Sequence, residues 1–322
     1  MTRELVTVDL GGTNARFAIA TIGVDNAIKL DEPVTFHTAE HASFQTAWQA
    51  FGKALGRPLP RAAAIAIAGP VHGDVIRMTN NPWILRPALI RDKLDVDDFV
   101  LINDFEAIGH AVATVGPDQF KAICGLDGPL PEGLVSIVGP GTGMGVAALT
   151  LRDGGYRVQA TEGGHIDYAP LDIIEDTILA RLRQRHRRVS AERVVSGPAI
   201  VDIYETLASI EGRKIQLATD REIWAAGLDG KDSLAAAAVD RFCMSLGSFA
   251  GDIALAQGAS SVVVAGGLGL RLKDVLLQSG FAQRFRAKGR FEQLMQGLPV
   301  KLIIYPQPGL LGAAAAFAQA HK

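Results

Sequence analysis

The sequence is short of cysteine, of net charge, of long apolar runs and of the common nucleotide-binding signatures, and each shortage excludes something. Its two cysteines, Cys124 and Cys243, stand far apart in apolar surroundings. They suit a reducing compartment and cannot build a multi-cysteine zinc site. The seven histidines show no HExxH pattern and no paired spacing, which speaks against a zinc centre. With 32 basic and 34 acidic residues the net charge is −2, so no basic field recruits nucleic acid or an anionic membrane. A P-loop is missing, because Gly230 and Lys231 are followed by Asp232 where Ser or Thr is needed. "GPGTGMG" does not fit GxGxxG and reads as a hairpin rather than a strand-to-helix turn, which removes a Rossmann fold. Asp9 interrupts the first apolar run, unlike a signal peptide. The most hydrophobic window, Ile253–Leu270, is broken by Gln257, Ser260, Ser261 and glycines, whereas a membrane span needs about 20 predominantly apolar residues. The expectation is a soluble, cytoplasmic protein whose ligand is small and neutral to anionic.

At 322 residues the chain has the length of two domains of about 150 residues each. "LVTVDLGGTNARFAIA" (Leu5–Ala20) and "LVSIVGPGTGMGVAALT" (Leu134–Thr150) each read as strand, glycine-rich turn and strand. Two such hairpins in one chain suggest a duplicated α/β unit with a nucleotide between the halves. "AAAIAIAGPV" and "FVLINDF" read as buried strands, and "EAIGHAVATVG" as a helix after the second. In "PLDIIEDTILARLRQRHRR" Asp172 is placed to cap a helix, with Glu175 completing a pair like a capping box. "GPAIVDIYETLASIEG" starts a helix at Pro198 and ends it at Gly212. "DSLAAAAVDRFCMSLGSFAGDIALAQG" is a long helix before the strand "SSVVVAGG", and "LIIYPQPGLLGAAAAFAQA" closes with a strand, a turn and an alanine-rich helix. Strands alternating with helices predict an α/β fold, and the hairpins make its sheets mixed.

The first hairpin holds more polar groups than a turn needs. Asp9 is placed to hold a magnesium ion through water, while Gly11, Gly12, Thr13 and Asn14 cradle phosphate with backbone N–H groups and a hydroxyl. Asn103 and Asp104 end an apolar strand, where open α/β sheets put ligand groups. Asp104 there can take a proton from an attacking hydroxyl that Asn103 positions, although a cap for the following helix fits Asn103 equally well. Glu162 and His165 flank a Gly-Gly turn in "TEGGHIDYAP", a disposition suited to sugar hydroxyls. The basic run Arg181–Arg188 follows Glu175 and Asp176 on one helix, so it reads as a solvated face complementing the helix dipole.

Taken together and in order, "DLGGTNAR", "AIAGPVHGD", "MTNNPW", "INDF", "GPGTGMGVA", "EGGHIDYAP", "SAERVVSGP", "AGG" and "PGLLGAAA" resemble the bacterial glucokinase family. These are ATP-dependent hexose kinases of the actin/hexokinase/Hsp70 superfamily, and the resemblance covers essentially the whole chain. It implies a two-domain actin-like ATPase (ribonuclease H-like) fold with mixed sheets and a closing interdomain cleft. Residues 1–115 plus 308–322 would form the small domain and 116–307 the large one. It implies Asp104 as catalytic base, with Asn103, Asp104, Glu162, His165 and Glu192 binding D-glucose. Val8, Asp9, Leu10, Gly11, Gly12 and Thr13 would form one phosphate hairpin, and Gly139, Gly141, Thr142 and Gly143 the other. Gly266 and Gly267 would lie near adenosine. ATP and Mg²⁺ are the implied cofactors, glucose 6-phosphate and ADP the products, glycolysis the setting, and a homodimer the assembly. Spacing alone would make Glu192 a helix-surface carboxylate. Related ROK kinases carry a cysteine-rich zinc motif after the EGGH-like loop, and no cysteine lies between Cys124 and Cys243. That puts the zinc-free branch ahead.

Kinases for fructose, mannose or N-acetylmannosamine share this chemistry and remain open at the level of sequence. A sugar-responsive regulator would need a helix-turn-helix ahead of the first hairpin, which begins within about ten residues of Met1.

Overall fold

The computed structural model describes residues 2–78 and 81–321, so Thr79 and Asn80 of "MTNNPW" lie outside the described residues. The chain folds as two units, one of Met1–Val115, Val158–Ala160 and Tyr305–Lys322, the other of Gly116–Arg157 and Thr161–Ile304. Both are α/β with mixed sheets.

In the first unit β1 (Arg3–Leu10) and β2 (Asn14–Ile22) form an antiparallel hairpin, with β3 (Ile28–Leu30) and β4 (Val34–His37) antiparallel to β2. Strand β5 (Ala62–Ile67) runs parallel to β1. A short antiparallel pair, β6 (Ile76–Arg77) and β7 (Ile84–Leu85), precedes β8 (Asp98–Asn103), which is parallel to β5. The order is β3-β2-β1-β5-β8. Every residue of β5 is buried, as expected of a parallel strand covered on both faces.

On one face the helix Phe44–Leu55 sets Phe44, Trp48 and Phe51 at helical spacing around Phe17, with ring centroids 5.3 to 6.4 Å from it. Each such ring contributes on the order of 2 kcal/mol by burial. The helix starts on a Ser43–Thr46 capping box and stops at Gly56, whose φ of 69° only glycine adopts readily. On the other face the alanine-rich helix Pro308–Ala320 packs against the helix Asp104–Thr114. The approach is close enough that a Cβ on Gly312 would stand 1.6 Å from the Ala107 carbonyl oxygen. Small side chains are what permit this contact.

The strands of the second sheet are β9 (Phe120–Cys124), β10 (Gly133–Pro140), β11 (Met144–Arg152), β12 (Gly155–Thr161), β13 (Ser261–Val264) and β14 (Val300–Ile303). Their order is β12-β11-β10-β13-β14-β9, with β10, β13 and β14 parallel. The helix Ser233–Gln257 begins where Asp232 accepts from the Ala235 N–H at 2.7 Å and ends at Gly258 in the left-handed conformation. It anchors a core that includes Phe242, Trp224 and Tyr204.

One local expectation needs correction. Asp172 does cap the helix Ile173–Arg183, but Glu175 does not close a capping box. Its carboxylate is fully buried, accepts from the Leu171 N–H at 2.7 Å and pairs with Arg284. One carboxylate oxygen serves the Leu171 N–H and the Arg284 guanidinium together, in place of the cap residue's own N–H. The basic run Arg181–Arg188 is as expected: Arg181 and Arg183 lie in the last turn of the helix Ile173–Arg183, and Arg183, Arg185, Arg187 and Arg188 are exposed. Arg181 and Arg185 pair with Asp202, Arg181 also with Glu205, and Arg188 with Asp167. No helix among the described residues is long and apolar enough to cross a membrane.

Candidate active site

The register of the first sheet aligns Leu10 with Ile67 and Ile67 with Asn103. Asp9, the Gly69 loop and Asn103–Asp104 therefore share the carboxyl edge of three parallel strands, where open sheets bind ligands. Asp9 faces Arg16 across the hairpin, with Oδ2 3.0 Å from the guanidinium. Burial pushes its carboxyl above the ordinary range, while Arg16 pulls it down. A Cβ on Gly309 would stand 2.9 Å from the Asp9 Cγ, so glycine lets the start of the Pro308–Ala320 helix reach the carboxylate. A helix N-terminus favours negative charge there.

At the tip of this hairpin the Gly11 N–H donates to the Asn14 carbonyl at 2.9 Å. The Thr38 hydroxyl donates to the Gly12 and Thr13 carbonyls at 2.8 and 3.1 Å, and its N–H to Thr13 at 2.9 Å. Three carbonyls are thus turned back into the protein, which leaves the N–H side of the tip for an anion. The Asn14 Oδ1 is buried with no hydrogen-bond partner among the described residues. Amide and carboxylate oxygens are hard acceptors of the kind magnesium takes, so the Asn14 and Asp9 side chains would fit a hydrated ion of that metal.

Asn103 caps the helix Asp104–Thr114. Its Oδ1 accepts from the N–H groups of Phe105 and Glu106 at 2.8 and 3.2 Å, and its Nδ2 donates to the Gly69 carbonyl at 3.1 Å. The cap role is real, yet one Nδ2 hydrogen stays available to a ligand. Asp104 is the first helical residue, and its Oδ1 accepts from the Phe105 N–H at 3.0 Å, which fixes the carboxylate.

The remaining candidates gather at one end of the second sheet. At the tip of β10–β11 the Gly141 N–H donates to Gly143 and the Gly197 N–H to Gly141, both at 2.8 Å, with Thr142 exposed. Gly266, at φ 82°, would place a Cβ 2.8 Å from the Pro140 carbonyl oxygen, while one on Gly267 would meet open space. Glu192 opens the short helix Glu192–Val195, and its Oε2 accepts from the Met144 N–H at 2.9 Å. It is half-buried against the hairpin, not a surface carboxylate. The Gly-Gly turn presses on β11: a Cβ on Gly164 would stand 2.0 Å from the Met144 carbonyl oxygen. Glu162 Oε2 and His165 Nε2 lie 3.9 Å apart and exposed. Residues 166–168 pair with 189–191 through Ala191 N–H to Ile166 at 2.8 Å and Tyr168 N–H to Val189 at 3.1 Å. Arg188 donates to the His165 carbonyl at 2.6 Å and to Asp167 at 2.5 Å.

Each unit thus brings its own candidates together. The sequence singled out no role for Thr38, Arg16, Gly69, Gly197, Arg188 or Gly309. Gly69, Gly197 and Gly309 at least fall inside the glycine–proline motifs already quoted, whereas nothing marks Thr38.

Comparison with known proteins agrees along the whole length. Residues 6–320 match the family model for glucokinase. The glucokinase of Zymomonas mobilis is 60% identical over 320 residues, 99% of each chain, and that of Caulobacter vibrioides 39% over 315 residues, 96% of this chain and 93% of that one. A crystal structure of glucokinase from an Antarctic psychrotroph superposes with a TM-score of 0.83 at 32% identity, covering 98% of this chain and 99% of that one. The two-domain actin-like ATPase fold of those kinases is the fold of this chain. A match this long, with the hairpins, the Asn-Asp corner and the Gly-Gly-His turn all in place, makes the chain a member of the glucokinase family.

Proposed function

We propose that the chain transfers the γ-phosphoryl group of ATP to the 6-hydroxyl of D-glucose, giving glucose 6-phosphate and ADP at the first step of glycolysis. It phosphorylates glucose with ATP, and membership of the glucokinase family along nearly the whole chain is the observation that carries this. Asp104 accepts the proton of the attacking hydroxyl, helped by a carboxylate already held at the helix start. Asn103 positions that hydroxyl with its remaining amide hydrogen, and Glu162, His165 and Glu192 hold other hydroxyls. The tip from Val8 to Asn14 holds phosphate oxygens with its N–H groups, as does the tip Gly139–Gly143. Gly266 and Gly267 leave room for adenosine. Asp9 would hold magnesium through water, and the ion would neutralise charge on the phosphates.

The base belongs to the first unit, and the carboxylates Glu162 and Glu192 belong to the second. Lack of cysteine between Cys124 and Cys243 supports the zinc-free branch over the ROK branch. A cytoplasmic homodimer is part of the same proposal. An ADP-release assay across sugars and donors tests it. D-glucose with ATP should give the highest kcat/KM, chelation should abolish turnover, and added Mg²⁺ should restore it. A higher kcat/KM for fructose, mannose or N-acetylmannosamine would overturn the substrate, and stoichiometric zinc in the purified protein would overturn the branch.

A further inference from the structure

We infer that the phosphate hairpin of the second unit and the sugar-binding groups form one mechanical piece joined through the Glu192 carboxylate, with Gly143 as the positioning residue that keeps the joint open. The inference rests on Glu192 holding a glucose hydroxyl.

The peptide around Met144 is gripped from two directions. Its N–H donates to Glu192 Oε2 at 2.9 Å, and its carbonyl is the surface against which Gly164 packs. Gly164 belongs to the turn that carries Glu162 and His165. The backbone behind Glu192 is fixed to that same turn, because Ala191 donates to Ile166 and Arg188 to the His165 carbonyl. Three sequence segments around residues 144, 165 and 192 are therefore tied into a ring, and the Glu192 side chain is its flexible member.

A carboxylate can serve two donors at once, since each oxygen accepts independently. With Oε2 on the Met144 amide, Oε1 is left for the sugar. A bound hydroxyl restricts the side chain's rotamers, and the restricted carboxylate holds the hairpin amide more of the time. By linkage, whatever steadies the hairpin must also tighten sugar binding.

Gly143 is what lets the carboxylate reach. A Cβ at this position would stand 2.5 Å from Glu192 Oε2 and 3.4 Å from its Cδ. The obstructing atoms are the free end of a side chain rather than backbone, so alanine pushes the carboxylate aside instead of disrupting the fold. Gly141 is an internal control on the same tip, since a Cβ there meets nothing within 4 Å.

Calorimetric titration of the full chain with D-glucose, without nucleotide, tests this. Gly143→Ala should raise the glucose Kd by about tenfold to a hundredfold, the range of one hydrogen bond to a charged group. Gly141→Ala should stay within about twofold. In the wild-type protein, saturating glucose should slow hydrogen exchange of the Met144 amide. If Glu192→Ala weakens glucose binding while Gly143→Ala leaves it at the wild-type value, the joint is refuted and the sugar role of Glu192 stands. If Glu192→Ala leaves glucose binding unchanged, the sugar role itself fails. Should Gly143→Ala prove unfolded, exchange at Met144 decides alone, and an unchanged rate at saturation overturns the joint.

Discussion

In the first sheet the hairpin β1–β2 lies beside the parallel strands β5 and β8, and in the second the hairpin β10–β11 lies beside β13 and β14 in the same order. Both tips are short and glycine-rich, and in both the first tip N–H closes back on the turn, Gly11 to Asn14 and Gly141 to Gly143. Their anchors differ. The first tip is tied by the neutral hydroxyl of Thr38, the second by the Gly197 backbone and the Glu192 carboxylate. A hydroxyl whose single hydrogen is shared by two tip carbonyls has no donor left for a ligand. A carboxylate with an oxygen to spare can report what else it binds. The two backbones repeat, but their anchors do not, so equivalent glycine turns should answer to different substrates.

The comparison breaks most sharply at the base. Asp104→Asn in the first unit should cut kcat by at least about a hundredfold, the lower range for a lost general base, while glucose binding changes far less. Steady-state kcat beside a calorimetric glucose Kd measures both, and near-normal turnover would remove Asp104 from the chemistry.

A second difference lies in how the units bury titratable groups. Each unit takes a charged pair out of water, partly for Asp9 with Arg16 and fully for Glu175 with Arg284, and in the first unit burial also pushes the His110 imidazole down to about 4. The unfolded imidazole titrates near its ordinary value of about 6.5. Between those values the unfolded chain binds a proton that the folded one refuses, so stability falls as pH drops from about 6.5 to about 4. The contribution is complete above that window and amounts to about 3 kcal/mol. Urea unfolding at pH 7 and pH 5 should show the loss, and His110→Gln should flatten it.

On the sugar side, His165→Ala should raise the glucose KM about tenfold and leave the ATP KM within about twofold. Equal effects on both substrates would make the histidine a support for the turn rather than a ligand. The smallest effect sharpens the hairpin contrast directly. Thr38→Val removes the hydroxyl bonds to Gly12 and Thr13 but keeps the N–H bond, so the ATP KM should rise about threefold. Glucose binding should not move. If it moved as it does in Gly143→Ala, the two anchors would be equivalent after all.

What was legible in the sequence is what local physics determines. Apolar runs such as "AAAIAI" had to be buried strands, Asp232 and Gly258 had to bracket a long helix, and glycine pairs had to turn. The joint order of short motifs also brought out the kinase resemblance and its candidate residues. Tertiary structure decided which of several permitted partners each polar group took. Asn103 is at once a cap and a group with one hydrogen to spare, and Glu175 leaves its expected capping box for Arg284. Arg188, exposed like the rest of its run, reaches the His165 carbonyl, and Glu192 turns inward to the Met144 amide. Propensity and periodicity act over a few residues, so they settle where the backbone bends and which face is apolar. The partner of a carboxylate or guanidinium is chosen among groups tens of residues away, by burial and reach, and only the folded chain brings those groups within a hydrogen bond of each other.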